Sequence, residues 1–164
     1  MAVDMFLNID DKKVKGESQD DKHKDEIDVL AWAWGVSQGG TTHLGSGGGS
    51  GKASFQDISI TKWVDKSSPN LLSACSVGDH YGKVLLTVRK AGGKNPLEYI
   101  KIEMKDVIVT SISTGGSGGE DRLTENVSLN FAKFEYNYTP QKKDGTGDST
   151  IPFGYDIAAN KKTK

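Results

Sequence analysis

The residues that most resemble catalytic machinery lie in the run Ser113-Thr114-Gly115-Gly116-Ser117-Gly118-Gly119-Glu120-Asp121-Arg122. Gly115, Ser117 and Gly119 have the spacing of a nucleophile elbow, where a serine sits on a strained turn from a strand into a helix. Val107 to Ile112 predicts a strand before it. Val127-Ser128-Leu129-Asn130-Phe131 alternates, and predicts a second strand after it instead of a helix. No histidine is placed by the pattern to activate Ser117: His23 lies in a charged stretch, His43 in a glycine-rich one and His80 beyond a predicted helix. The segment therefore reads as a glycine-rich connection between strands, and the chain as a non-enzyme.

A second glycine cluster, Gly47-Gly48-Gly49-Ser50-Gly51-Lys52, resembles a phosphate loop. The full pattern requires glycine where Ser46 stands and a hydroxyl residue where Ala53 stands, followed by a helix. A strand is predicted there instead. The three histidines and the single Cys75 lack ligand spacing, and no Asp-x-Asp-x-Asp-Gly loop occurs. No metal and no cofactor is expected. Asn126-Val127-Ser128 and Asn137-Tyr138-Thr139 match the glycosylation pattern but fall on predicted strands.

The chain has 164 residues and a formal net charge of −1, so one domain is expected and neither nucleic acid nor an anionic membrane surface is an implied partner. One cysteine excludes an internal disulfide. No basic and apolar leader is present at the start, and no apolar run approaches a membrane span, so synthesis and folding in the cytoplasm, without membrane insertion, are expected.

The elements that would position these groups are mostly strands. Met5 to Ile9 predicts the first. Asp10 to Glu26 mixes both charges and predicts a solvated loop. From Glu26 to Gln38 a strand is expected, with Leu30, Trp32 and Trp34 on a bulky core face and Val29, Ala31, Ala33 and Gly35 on a small opposite face. Ala53 to Val64 predicts a strand bent between Phe55 and Ile58. Ser68 predicts an N-cap, Pro69 the first helical position and Gly78 the left-handed residue past the end, with Leu71, Leu72 and Cys75 on one face. Lys83 to Lys90 and Leu97 to Ile112 predict two strands around the turn Ala91 to Pro96, the second with Ile100, Ile102, Met104, Ile108 and Ile112 on one parity. Val127 to Tyr138 switches parity midway, as a strand bending around a barrel would. Ile151 to Ile157 reads as a proline-marked edge strand. The architecture expected is mainly β: a bent antiparallel barrel or a tight two-sheet sandwich with one flanking α-helix.

Several segments carry a resemblance. Met1 to Leu7, Asp28 to Gly35, Asp65 to Leu71, Arg89 to Gly93 and Ser113 to Phe131 together resemble the Hcp (hemolysin-coregulated) family, the inner-tube proteins of type VI secretion. The resemblance implies a single Hcp-like β-barrel domain over residues 1–164, with no C-terminal toxin extension. It implies a homo-hexameric ring, ring-on-ring stacking into a tube, a contractile sheath, a spike, and small effectors held in the lumen. It implies export by the type VI system without a cleaved signal peptide. Under that reading Ala31, Ala33 and Gly35 are candidates to face the lumen. Gly45, Gly47, Gly48, Gly49, Gly115, Gly116, Ser117, Gly118, Gly119, Glu120, Asp121 and Arg122 are candidates for ring contacts, where glycine permits close approach and unusual dihedrals. The alternative is a monomeric β-sandwich module binding carbohydrate or another ligand through an exposed aromatic platform.

Overall fold

The computed structural model describes residues 2–40, 43, 45, 51–91 and 93–164. Among them the strands are β1 (Val3–Ile9), β2 (Ile27–Ala33), β3 (Val36–Ser37), β4 (Ser54–Phe55), β5 (Ile58–Trp63), β6 (His80–Lys90), β7 (Glu98–Thr114), β8 (Thr124–Tyr138), β9 (Ile151–Asp156) and β10 (Lys161–Lys162). One helix, α1 (Ser68–Val77), lies between β5 and β6.

All pairings are antiparallel. In the order β8-β5-β2-β1-β6-β7, six strands close into a barrel, because β7 pairs again with β8. Strands β9 and β10 extend the far half of β8. Strands β3 and β4 form a separate ladder. The architecture is the expected bent barrel with one helix. The expected break between Phe55 and Ile58 is present, since Gln56 and Asp57 separate β4 from β5.

The barrel bends along one line. Tyr81 pairs with Val107 and Lys83 with Lys105; Lys105 pairs with Lys133 and Val107 with Phe131. Gly82, Asp106 and Ala132 are the residues between these pairs. On each strand the buried parity changes there, from Val84 to Tyr81, from Met104 to Val107 and from Phe134 to Phe131. Asp106 has φ +53°, a left-handed conformation that rotates the chain without a register shift. Both halves of each strand therefore face one continuous core of Leu7, Ile27, Ile58, Leu86, Met104, Val107, Leu129 and their neighbours. The midway switch expected for β8 is observed. The single parity expected for β7 is not: Ile102 and Met104 are buried, then Val107 and Val109, because Asp106 resets the count.

Three further expectations are corrected. In β2 a bulge falls between Val29 and Ala31, so Val29 is buried and Leu30 is 38% exposed instead of sharing the core face with the tryptophans. Beyond the bulge Trp32 and Trp34 pack toward the core. On α1 the cap position belongs to Ser67, and Ser68 turns inward, where its hydroxyl donates to Glu125 Oε1 at 2.5 Å. Leu71 and Ala74 are the buried pair, with Leu72 exposed and Cys75 half-buried. Gly78 does close the helix at φ +74°, donating to the Ala74 carbonyl.

The third correction concerns Asp10 to Glu26, which packs instead of waving in solvent. Val14, Ser18, His23 and Glu26 are buried. Gly16 N–H donates to the Asp25 carbonyl and Ser18 N–H to the Glu26 carbonyl, folding the segment back on itself. A Cβ on Gly16 would stand 2.4 Å from the Glu26 carbonyl oxygen, so only glycine fits. The charges are used in pairs. Asp20 and Asp4 accept from the Arg89 guanidinium at 2.5 and 3.0 Å, and His23 stacks on Phe6 with ring centroids 4.3 Å apart. This cover is why the outer face of β1 and β6 carries buried Phe6, Thr87 and Arg89.

Candidate functional site

The outward surface of the barrel has two unlike regions. Beyond the bend, β7 and β8 present Lys101, Glu103, Lys105, Lys133 and Glu135, a charged face of ordinary solvent-facing composition. On the other side of the bend most outward residues are small and uncharged over four strands, Trp63 and Ile108 being the large exceptions. Ala33 pairs with Ser59, Ser59 with Ser128, and Ser128 with Ser111. Ala31 pairs with Thr61, Thr61 with Asn126, and Asn126 with Ser113. Because these strands alternate, Ser59 and Thr61 flank inward Ile60, Asn126 and Ser128 flank Val127, Ala31 and Ala33 flank Trp32, and Ser111 and Ser113 flank Ile112. The Thr61 hydroxyl donates to Asn126 Oδ1 at 2.8 Å.

One charge interrupts this surface. Asp57, just before β5, accepts from Thr110 Oγ1 at 2.7 Å and from Asn130 Nδ2 at 2.9 Å. Thr110 is the extra residue of a bulge in β7 between Val109 and Ser111.

Ala31 and Ala33 are exposed on this face, whereas Val29, expected beside them, is buried before the bulge. Gly35 is half-buried at its margin, where its carbonyl accepts from Gln56 N–H and a Cβ would stand 3.3 Å from Gln56 Oε1. The turn from Gly115 to Arg122 joins β7 to β8, strand to strand, so Ser117 has no helix after it. All its residues are exposed, with the Arg122 guanidinium over the Trp63 ring at 4.3 Å. The glycines here do not use left-handed dihedrals, and Gly115, Gly118 and Gly119 have open space where a Cβ would be. Gly45 does adopt φ +88°. Gly47, Gly48 and Gly49 lie outside the described residues. Strand β5 fixes the relation of the two loops: the 34–57 excursion leaves at its Ile58 end, whereas Trp63 pairs with Thr124 beside the 115–123 turn at the other. They emerge at opposite ends of that strand.

Two buried polar clusters, missed by pattern reading, hold the frame. Lys62 and Glu125 are 0% and 1% exposed and form an ion pair between β5 and β8. Lys62 also reaches Asp65 Oδ1 at 3.1 Å and donates to Ser68 Oγ at 3.3 Å, which ties the start of α1 to the barrel. His23 directs Nδ1 to Glu26 at 3.0 Å and Nε2 to Glu98 at 2.6 Å. The Arg89 hydrogen bonds outweigh desolvation and hold Asp20 down at about 2. Burial pushes Glu98 up, but bonds from His23 and Lys101 together hold it below the usual range. Among the described residues no set of three or more His, Cys, Asp or Glu side chains is arranged to hold a metal ion.

The family model for the type VI secretion system effector Hcp matches residues 6–138. The chain belongs to the Hcp family. Protein hcp1 of Pseudomonas aeruginosa PAO1 is 59% identical over 161 residues, covering 98% of each chain. A structure of a type six secretion system protein superposes with a TM-score of 0.91 at 33% identity, covering 99% of this chain and 100% of that one. Hcp1 from Salmonella typhimurium superposes at 0.81 with 42% identity, again over 99% and 100%. Membership makes a structural, secreted tube protein of this chain, and Hcp subunits form hexameric rings that stack. The family match extends over both the small-residue face and the bend.

Proposed function

We propose that this chain builds the type VI tube with its small-residue face turned to the lumen and its opposite loops at the ring faces. The observation that carries the reading is the row of Ala31, Ala33, Ser59, Thr61, Ser111, Ser113, Asn126 and Ser128. A wall over which folded cargo must slide gains from short side chains, which leave the channel wide. It gains also from hydroxyls and amides, which stay hydrated and bind weakly. The charged Lys and Glu face beyond the bend would then look outward.

Open-ended stacking needs two different patches on opposite ends, since a heterologous contact that does not close continues as a filament. The Gly115–Arg122 turn lies beside the Trp63 end of β5, whereas the chain from β4 enters β5 at its Ile58 end through Gln56 and Asp57, which supports two unlike ends. Sheath, spike and small effectors are the partners, and the type VI system exports the chain. The monomeric binding-module reading is not favoured, because Trp34, Phe55, Phe131 and Phe134 pack on one another instead of forming an open platform.

Native mass spectrometry with negative-stain microscopy of the same sample tests the assembly. Six-copy rings with an open centre are expected; a monomer over a wide concentration range overturns it. Ala33→Glu tests the face: rings should persist with altered effector retention, and a failure to fold would show that the face is core.

A further inference from the structure

We infer that Asp57 is the group by which the small-residue face holds polypeptide cargo, and that it selects segments bearing lysine or arginine. The inference rests on the lumenal reading of that face. Asp57 is a charged group in a field of serine, threonine and asparagine. Among the described residues no cation forms an ion pair with it, as is also so for Asp106, Glu120 and Asp121, whereas Glu103, Glu135 and Asp156 on the charged face have lysine partners. Its negative charge is therefore not neutralised within the protomer.

The carboxylate is also held in place. Thr110 donates to one oxygen from β7 and Asn130 to the other from β8. The Thr110 contact depends on the β7 bulge, since an unbulged strand would place the next alternating residue there. Bulges commonly re-aim one side chain in this way. Each carboxylate oxygen retains a further lone pair for an incoming donor. One carboxylate flanked by a hydroxyl and an amide is a poor metal set, but it suits an ammonium or guanidinium, whose charge-assisted hydrogen bonds exceed neutral ones. Ring symmetry repeats the group on every protomer, so weak single contacts add along one cargo chain. A cargo held this way can still leave, because each exposed charge pair is weak.

The test uses assembled rings of the full chain and two fluorescent peptides of equal length, one lysine-rich and one glutamate-rich, read by anisotropy at low and high salt. The lysine peptide should be retained over the glutamate peptide, with the preference falling as salt rises. Asp57→Asn should weaken lysine-peptide retention by about fivefold. Asp57→Lys should reverse the preference, and Asp57→Glu should keep it. In parallel, Ser59→Cys on a Cys75→Ser background is treated with a small maleimide and with a bulky polymer-linked one. Protection from the bulky reagent only in the ring supports the lumenal reading. With that protection in place, unchanged retention by Asp57→Asn overturns the anchor alone. Full reactivity with the bulky reagent in the ring overturns the lumenal reading and the anchor with it.

Discussion

Asp106 shows what one residue does to this barrel. At φ +53° it carries the reversal of parity between Met104 and Val107. A β-branched side chain fits that conformation badly. Asp106→Val should cost about 1–2 kcal/mol in urea unfolding, and Asp106→Gly should be tolerated. The turn glycines behave differently. Gly118 and Gly119 lie outside the left-handed region with open space around them, so replacing both by alanine should shift stability by no more than about 0.5 kcal/mol. If the same double variant shortens tubes while rings persist, those glycines act through close approach between rings. Lys62 is the opposite case. Lys62→Met leaves Glu125 buried and unpaired and should cost about 3–5 kcal/mol, whereas adding Glu125→Leu should recover part of the loss.

At the scale of elements, the segment from Asp10 to Glu26 depends on charge. Asp20 is held at about 2, from a usual value of 3.8, chiefly by the Arg89 hydrogen bonds. A depressed carboxyl contributes stability that is complete above its unfolded value and disappears as pH falls toward its folded one. Glu98 is shifted in the same direction. Asp28, pushed up by burial, works the other way. The segment should therefore loosen between about pH 4 and 2, seen as faster amide exchange over residues 16–26 before the barrel melts. Asp20→Asn should give that exchange already at neutral pH and flatten its acid dependence. An unchanged exchange profile in this variant would show that backbone bonds such as Ser18 to Glu26 hold the segment alone. Helix α1 follows the same pattern: its first turn is fixed by Ser68 on the Lys62–Glu125 pair, while Leu71 and Ala74 supply the apolar contact, about 2–3 kcal/mol for a buried leucine.

For the whole molecule, the arrangement of surfaces matters more than any site. One face of the barrel is mostly small and neutral, another is charged, and the Gly115–Arg122 turn lies beside the Trp63 end of β5, opposite the end at which Gln56 and Asp57 enter it. Shortening the 116–119 turn should leave six-copy rings in native mass spectra while reducing tube length in micrographs. Loss of rings as well would place the turn in the contact between neighbours within a ring.

Much of this was legible in the chain. Alternating apolar residues gave the strands, the parity change near Phe131 and Phe134 gave the bend in β8, and Pro69 and Gly78 bounded the helix, because those signals are local and backbone-driven. The Ser113–Phe131 stretch carried the family, and Ala31 and Ala33 were placed on an outward face. Leu30, Ser68 and the Asp10–Glu26 segment were misread because their neighbours are distant in sequence. A bulge, a buried lysine and an arginine on β6 decide their fates. Asp57 gave no signal at all, since Thr110 and Asn130 reach it only after β5, β7 and β8 have paired. The sequence by itself determined which residues form strands and which family they belong to, since both follow from short-range pattern. Only the tertiary structure decided which polar groups meet, because a closed barrel brings together residues that no periodicity links.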